Sequence, residues 1–109
     1  MKKILLFLVF LIFFSGLSAQ TWTPAQLKAA NTAKNISYLS QAEKEAIMYI
    51  NLARLYPKLY VKIEMKFYVR NLNSYEKSLI TELNTMKPVP TLLFDKACYE
   101  SAKCFAKES

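Results

Sequence analysis

The 109-residue chain contains no histidine, and its single glycine is Gly16. The absence of histidine excludes a histidine general base, a Ser/His or Cys/His nucleophile pair and any histidine metal ligand. Because no glycine follows Gly16, a glycine-rich loop that cradles phosphate is excluded as well. These absences leave few of the common catalytic or nucleotide-binding sites open to the chain.

Cysteine is also scarce, with only Cys98 and Cys104 present. On one helix, residues six apart are separated by about 9 Å along the axis and lie on different faces. A disulfide needs Cα atoms within about 7 Å of each other. If the last segment is helical, the two cysteines are therefore not a pair, and we expect them to be small buried apolar groups.

The first nineteen residues have the organisation of a secretory signal peptide. Lys2 and Lys3 form a basic start, residues 4–14 are an uninterrupted apolar run, and residues 15–19 supply small side chains for cleavage. The run is too short to span the roughly 30 Å hydrocarbon core of a bilayer. We therefore expect cleavage near Ala19 and a secreted, extracellular or periplasmic, protein. Because Leu17 is not small, an uncleaved membrane anchor is the alternative.

The charge is positive: a net +7 for the chain, which falls to +5 when Lys2 and Lys3 are left out. This balance favours anionic partners such as phospholipid or envelope polymers. Because lysine and glutamate are interspersed rather than blocked, a solvated cationic surface is the simpler interpretation. No nucleic-acid-binding module is recognisable, and export argues against nucleic acid as a partner. The sequence specifies no other partner and no oligomeric state.

Helix start signals recur along the remaining ninety residues, which can hold one small domain. Thr23, followed by proline, predicts a short helix to about Thr32 and then a loose linker. Asn73 with Glu76, and later Asp95, are caps for two further helices. We expect their apolar stripes to face inward: Leu79, Ile80, Leu83 and Met86 in the first, and Cys98, Ala102, Phe105 and Ala106 in the second.

The stretch from residue 40 to residue 57 carries the clearest helix signals. Ser40 and Glu43 predict a capping box, in which the hydroxyl accepts a backbone N–H and the carboxylate reaches back. Pro57 disfavours helix at the residue before it, so the helix should end around Arg54 or Leu55. Asn51 and Arg54 share one face, where a structural hydrogen-bonding pair is the simpler interpretation and a binding role the alternative. The buried face is expected to consist of Ala46, Ile47, Ile50 and Ala53.

Residues 57–72 fit two patterns. Lys58, Lys62, Lys66 and Arg70 recur every four residues, which on a helix gives a basic ridge. Residues 61, 63, 65 and 67 are apolar and alternate with charged ones, which is the spacing of a strand. We expect a helix, because Pro57 is acceptable as a first helical residue and no hairpin partner is visible. The ridge is a candidate contact with an anionic membrane or envelope surface, and a core helix with snorkelling lysines is the alternative.

The acidic side chains of the helices are scattered. Each lies where a helix cap or an exposed helix face explains it, whereas paired acid–base catalysis needs two carboxylates in opposed environments. We therefore predict no catalytic residue, no metal site, no cofactor and no enzymatic activity. The carboxylates considered are Glu43, Glu45, Glu76 and Glu82.

Three stretches carry a family resemblance. They read Ser40-x-x-Glu43-Lys44-Glu45-x-Ile47-x-Tyr49-Ile50-Asn51-x-Ala53-Arg54-x-x-Pro57, then Tyr75-Glu76-x-Ser78-Leu79 with Met86-Lys87-Pro88-x-Pro90, then Asp95-x-x-Cys98-x-x-x-Ala102-x-x-x-Ala106. In this order they resemble the N-terminal part of the SCP-like, or CAP, domain in its bacterial branch. The resemblance covers most of residues 23–109, and its order and spacing are more specific than any single stretch.

The resemblance implies a mainly α protein of four to five short helices, similar to the N-terminal helical part of the family's α-β-α sandwich with the sheet largely missing. The implied division is a signal peptide at 1–19, an N-terminal helix and linker at 20–39 and a partial SCP-like domain at 40–109. The family's cleft of two histidines and two glutamates cannot be transferred, and Phe105 stands where bacterial relatives often place a histidine. The expected function is thus that of a secreted, non-enzymatic, truncated SCP-like protein, with binding of anionic surfaces through residues 57–72 as the alternative.

Overall fold

Residues 20–66 and 71–109 are described by the computed structural model, and they are mainly helical, as the sequence predicted. The helices are α1 Pro24–Ala30, α2 Gln41–Leu55, α3 Pro57–Tyr60, α4 Ser74–Thr85 and α5 Lys96–Glu108, and the π-helical segment Val61–Met65 continues α3. Across these residues there is no β-strand, and no helix is long and apolar enough to cross a membrane. The predicted signal peptide lies outside the described residues.

Local capping explains where the helices begin. At α1 the Thr23 hydroxyl accepts the Gln26 N–H at 3.2 Å, and the Gln26 side chain accepts the Thr23 N–H at 2.9 Å. Asn73 and Glu76 make the same reciprocal pair at α4. The α2 cap is simpler than predicted, because Ser40 Oγ accepts the Glu43 N–H at 3.1 Å while the Glu43 carboxylate does not reach back.

The chain remains helical from Pro57 through Lys66, so the strand alternative for this segment is wrong over its described part. Pro57 is the first residue of α3 and is buried, and α2 ends at Leu55 as the proline predicted. The first helix is shorter than expected. It ends at Ala30, because Asn31 leaves the helical conformation with φ −84° and ψ 59°.

The buried core includes Ala30, Ala33, Leu39, Leu52 and Leu83, with Asn51 as the buried polar residue. Asn51 joins α2 to the end of α1, whereas Leu83 belongs to α4, which contacts α3. The predicted buried face of α2 is wrong, because Ala46 is exposed and Ile50 is 50% exposed. The buried residues of α2 are instead Asn51 and Leu52, and Asn51 bonds to the end of α1. On α4 only Leu83 of the predicted stripe is buried, and Leu79 is 50% exposed.

The predicted inward face of α5 is also wrong. None of its residues is buried, Phe105 is 74% exposed, and both cysteines are exposed rather than buried. Cys98 and Cys104 are unpaired, as their spacing predicted. The physical reason is that no other described helix packs extensively on α5. Its N-terminal turn contacts an aromatic cluster, in which the ring centroid of Tyr99 lies 5.5 Å from that of Phe94 and 5.8 Å from that of Tyr38.

Candidate functional site

Asn51 is fully buried, and its side-chain amide joins three separate parts of the chain. Its Nδ2 donates to the Ala30 carbonyl at 3.0 Å, to Thr32 Oγ1 at 3.0 Å and to the Leu92 carbonyl at 3.2 Å. Its Oδ1 accepts the Leu92 N–H at 2.7 Å. The Thr32 hydroxyl donates to the same Leu92 carbonyl at 2.9 Å. Asn51 thereby fastens the end of α1 and the chain at Leu92 to the middle of α2.

Arg54 adds a second attachment one turn further along α2. Its Nε donates to the Pro90 carbonyl at 2.9 Å, and its backbone carbonyl accepts the Val89 N–H at 2.9 Å. We call residues 87–95, which run without regular structure between α4 and α5, the α4–α5 connection. Because this connection has no sheet partner, its backbone groups at Val89, Pro90 and Leu92 take partners from Asn51 and Arg54.

Asn51 and Arg54, the polar pair predicted on α2, thus both bond to the backbone of the α4–α5 connection. The other three residues predicted for this motif, Ser40, Glu43 and Pro57, make no hydrogen bond to that connection in the part of the chain that the structure describes. Ser40 and Glu43 are exposed at the start of α2, about two turns or more from Asn51, and buried Pro57 begins α3. No buried side-chain nitrogen or oxygen among the described residues lacks a hydrogen-bond partner. The Asn51 amide is therefore fully used in holding the fold.

The basic ridge is accessible where it is described. Lys58, Lys62 and Lys66 are all exposed along α3 and the π-helical segment. Arg70, the fourth predicted member, lies outside the described residues. These three lysines are therefore accessible from solvent.

The aromatic side of the same segment is occupied by the N-terminal part of the chain. The Trp22 ring lies 6.0 Å from the Tyr56 ring and 6.3 Å from the Tyr60 ring, and its Nε1 donates to Glu64 Oε1 at 2.7 Å. Burial, followed by the negative charge of Glu64, raises the pKa of Tyr60 above its ordinary value. This packing was not predicted, because Trp22 and Glu64 are 42 residues apart and no local pattern links them.

An open apolar groove of about 320 Å³ lies between α2 and α5. Its lining residues include Ile47 and Ile50 on α2, Leu93 and Phe94 on the α4–α5 connection, and Cys98 on α5. The Cys98 N–H donates to the Asp95 carboxylate at 2.8 Å and lowers the pKa of that carboxyl. In return, a hydrogen bond to Asp95 and the charge of Asp95 raise the pKa of the Cys98 thiol, which keeps it protonated and poorly nucleophilic.

The model of DUF5889, a family of unknown function, matches residues 5–109. The chain belongs to DUF5889. No curated protein and no solved structure matches it.

The acidic and cysteine side chains of this DUF5889 chain are scattered over the part that the structure describes. In residues 20–66 and 71–109, no three such side chains lie close enough to hold a metal ion. The four carboxylates considered from the sequence, Glu43, Glu45, Glu76 and Glu82, are all exposed on the surfaces of α2 and α4. The geometry of the described DUF5889 residues is that of a hydrogen-bonded scaffold with apolar and basic surfaces.

Proposed function

We propose that this protein is a secreted, non-enzymatic member of DUF5889 whose helices are related to the N-terminal helical part of an SCP-like domain. The observation that carries the proposal is the attachment of the α4–α5 connection by Asn51 and Arg54. These are the polar residues at the centre of the family resemblance. Their hydrogen bonds go to backbone groups at Leu92 and Pro90, which is a structural use.

The non-enzymatic part of the proposal is supported by side-chain chemistry. The chain has no histidine to act as a base. The thiol of Cys98 has a raised rather than a lowered pKa, which is the opposite of an activated thiol. Asp95, the carboxylate beside it, accepts the first-turn N–H of α5 and so acts as a helix cap.

The secretory part of the proposal rests on the first nineteen residues, and it is tested by processing. The full chain is expressed in a bacterial host, the culture is separated into cytoplasm, membrane, periplasm and medium, and the intact mass is measured. We expect a chain that begins at about Gln20 in the periplasm or medium. An intact chain that begins at Met1 and stays in the membrane fraction would contradict secretion and support the anchor alternative.

A second candidate function is binding of anionic membrane or envelope surfaces through residues 57–72. The observation that favours it is the exposure of Lys58, Lys62 and Lys66 on consecutive turns. Co-sedimentation with vesicles of anionic and of neutral phospholipid tests it. We expect Lys62→Gln to weaken binding to anionic vesicles, while Lys77→Gln, the same change on α4, leaves it unchanged. Equal, weak binding to both vesicle types would remove this candidate.

A further inference from the structure

A second groove lies at the corner where α2 turns into α3 and faces the end of α4. Its volume is about 420 Å³, within the usual range for small-molecule sites. Leu55, Leu59 and Met86 are half-buried along its walls, and buried Pro57 lies at the bend. Hydrocarbon fits such walls, because covering them removes apolar surface from water.

The charged side chains that line this corner groove are all positive. Lys58 and Lys87 line it, both are exposed, and neither has an ion-pair partner among the described residues. No carboxylate lines the groove. Two lining residues, Tyr56 and Thr85, carry neutral hydroxyls, and that of Thr85 already donates to the carbonyls of Thr81 and Glu82. The charge available to a ligand is therefore positive.

The other two grooves differ in this respect. The groove between α2 and α5 is lined by Asp95 and by no lysine. The third, of about 230 Å³, places Lys34 and Lys44 beside Glu45. Of the three grooves described, the corner groove is the one that combines apolar walls with uncompensated lysines.

We propose that the corner groove binds the anion of a single-chain fatty acid. The acyl chain lies against Leu55, Leu59 and Met86, and the carboxylate lies between the ammonium groups of Lys58 and Lys87. A methylene group takes up about as much space as a water molecule, roughly 30 Å³, so the groove has room for on the order of ten carbons. This function goes beyond secretion and beyond surface binding, since Lys62 and Lys66 do not line the groove.

Calorimetric titration of the full chain with octanoate, decanoate and dodecanoate tests the acyl part of the proposal. We expect affinity to rise about 15-fold for each two-carbon step until the groove is full, since each buried methylene contributes about 0.8 kcal/mol. No binding, or affinity independent of chain length, would overturn the proposal.

Charge variants test the head-group part. The double variant Lys58→Gln/Lys87→Gln should weaken decanoate binding about fivefold, as expected for two exposed ion pairs. The matched double variant Lys28→Gln/Lys77→Gln makes the same charge change away from the groove and should bind as the unaltered chain does. Decanol should bind both double variants equally. Equal decanoate affinity for the two double variants would overturn the assignment of the carboxylate.

Two phenylalanine variants distinguish binding of the fatty acid in the corner groove from its binding to the apolar run of residues 4–14. Thr85→Phe places a ring in the groove and should abolish decanoate binding, whereas Thr81→Phe, one turn earlier on α4, should not. Undiminished binding to Thr85→Phe would show that the fatty acid binds elsewhere and overturn the proposal. Lys62→Gln is expected to weaken vesicle binding but not decanoate binding, so failure of one function is distinguishable from failure of the other.

Discussion

Replacement of Asn51 by alanine removes the side chain that ties three parts of the chain together. The Leu92 N–H then loses its partner at 2.7 Å, since no other acceptor is bonded to it. The Ala30 carbonyl keeps a second donor, the Thr32 N–H, and the Leu92 carbonyl keeps the Thr32 hydroxyl. The damage is therefore concentrated in one unsatisfied N–H and the loss of the buried Nδ2 hydrogen bonds.

The size of the effect follows from these groups. Because Leu92 is 47% exposed, leaving its N–H without Asn51 costs less than the about 1–3 kcal/mol of a fully buried group, and each lost hydrogen bond of Asn51 contributes about 0.5–1.5 kcal/mol. We expect Asn51→Ala to lower the free energy of unfolding by about 3 kcal/mol, a large share of the roughly 5–15 kcal/mol typical of a domain. The α4–α5 connection should detach from α2 as the helices lose stability.

Urea unfolding followed by far-ultraviolet circular dichroism measures this free energy. The matched control is Asn84→Ala, the same change at an exposed position of α4. It should alter stability by less than about 0.5 kcal/mol, since surface changes are small and alanine is the better helix former. A loss below about 1 kcal/mol for Asn51→Ala, or an equal loss for both variants, would refute the scaffold role.

Three further outcomes are expected. Arg54→Lys keeps the charge but loses the Nε donor to the Pro90 carbonyl, so it should lower the free energy of unfolding in urea by about 0.5–1.5 kcal/mol. An unchanged free energy of unfolding would mean that this hydrogen bond is not formed in solution. Because its hydrogen bonds lower the pKa of Asp95, the Asp95 cap stabilises α5 above the unfolded pKa of about 3.9, and this stability is lost as pH falls through the lower folded pKa. Asp95→Asn should abolish this acid transition in the Cys98 amide shift, and a transition that persists in the variant would assign it to another group. The same variant should speed thiol modification of Cys98 at pH 8 while Cys104 serves as the internal reference, and an unchanged ratio of rates would exclude the influence of Asp95.

Helix starts could be predicted from the sequence because capping is local. Thr23, Asn73 and Asp95 each accept an N–H three residues ahead, so the signal and its consequence lie within one turn. Pro57 likewise acts on its immediate neighbours, and it correctly predicted the end of α2 and the start of α3. The mainly helical fold follows from these local signals.

Burial could not be predicted in the same way. The apolar spacing of Ile47 and Ile50 indicates one face of α2, but which face is covered depends on where other parts of the chain pack. The residues of α2 that are buried are Asn51 and Leu52, and Asn51 bonds to the end of α1. The stripe through Phe105 on α5 is amphipathic in sequence, yet no other described helix packs extensively on it. Periodicity specifies a face, whereas burial requires a second surface.

The candidate site could be predicted only in part. The polar pair on α2 was visible as Asn51 and Arg54, but their partners at Leu92 and Pro90 are 41 and 36 residues away, beyond any local pattern. The corner groove was invisible for the same reason, because it brings Lys58 on α3 close to Lys87 after α4. Long-range contacts of this kind depend on packing.

Amide hydrogen exchange at Leu92 tests the central claim, that Asn51 acts as scaffold by holding the α4–α5 connection on α2. The Leu92 N–H belongs to a connection without regular structure, so its protection depends on the 2.7 Å bond to Asn51 Oδ1. We predict slow exchange in the unaltered chain and fast exchange in Asn51→Ala under conditions in which α2 itself stays protected. Fast exchange of the Leu92 amide in the unaltered chain would contradict the account.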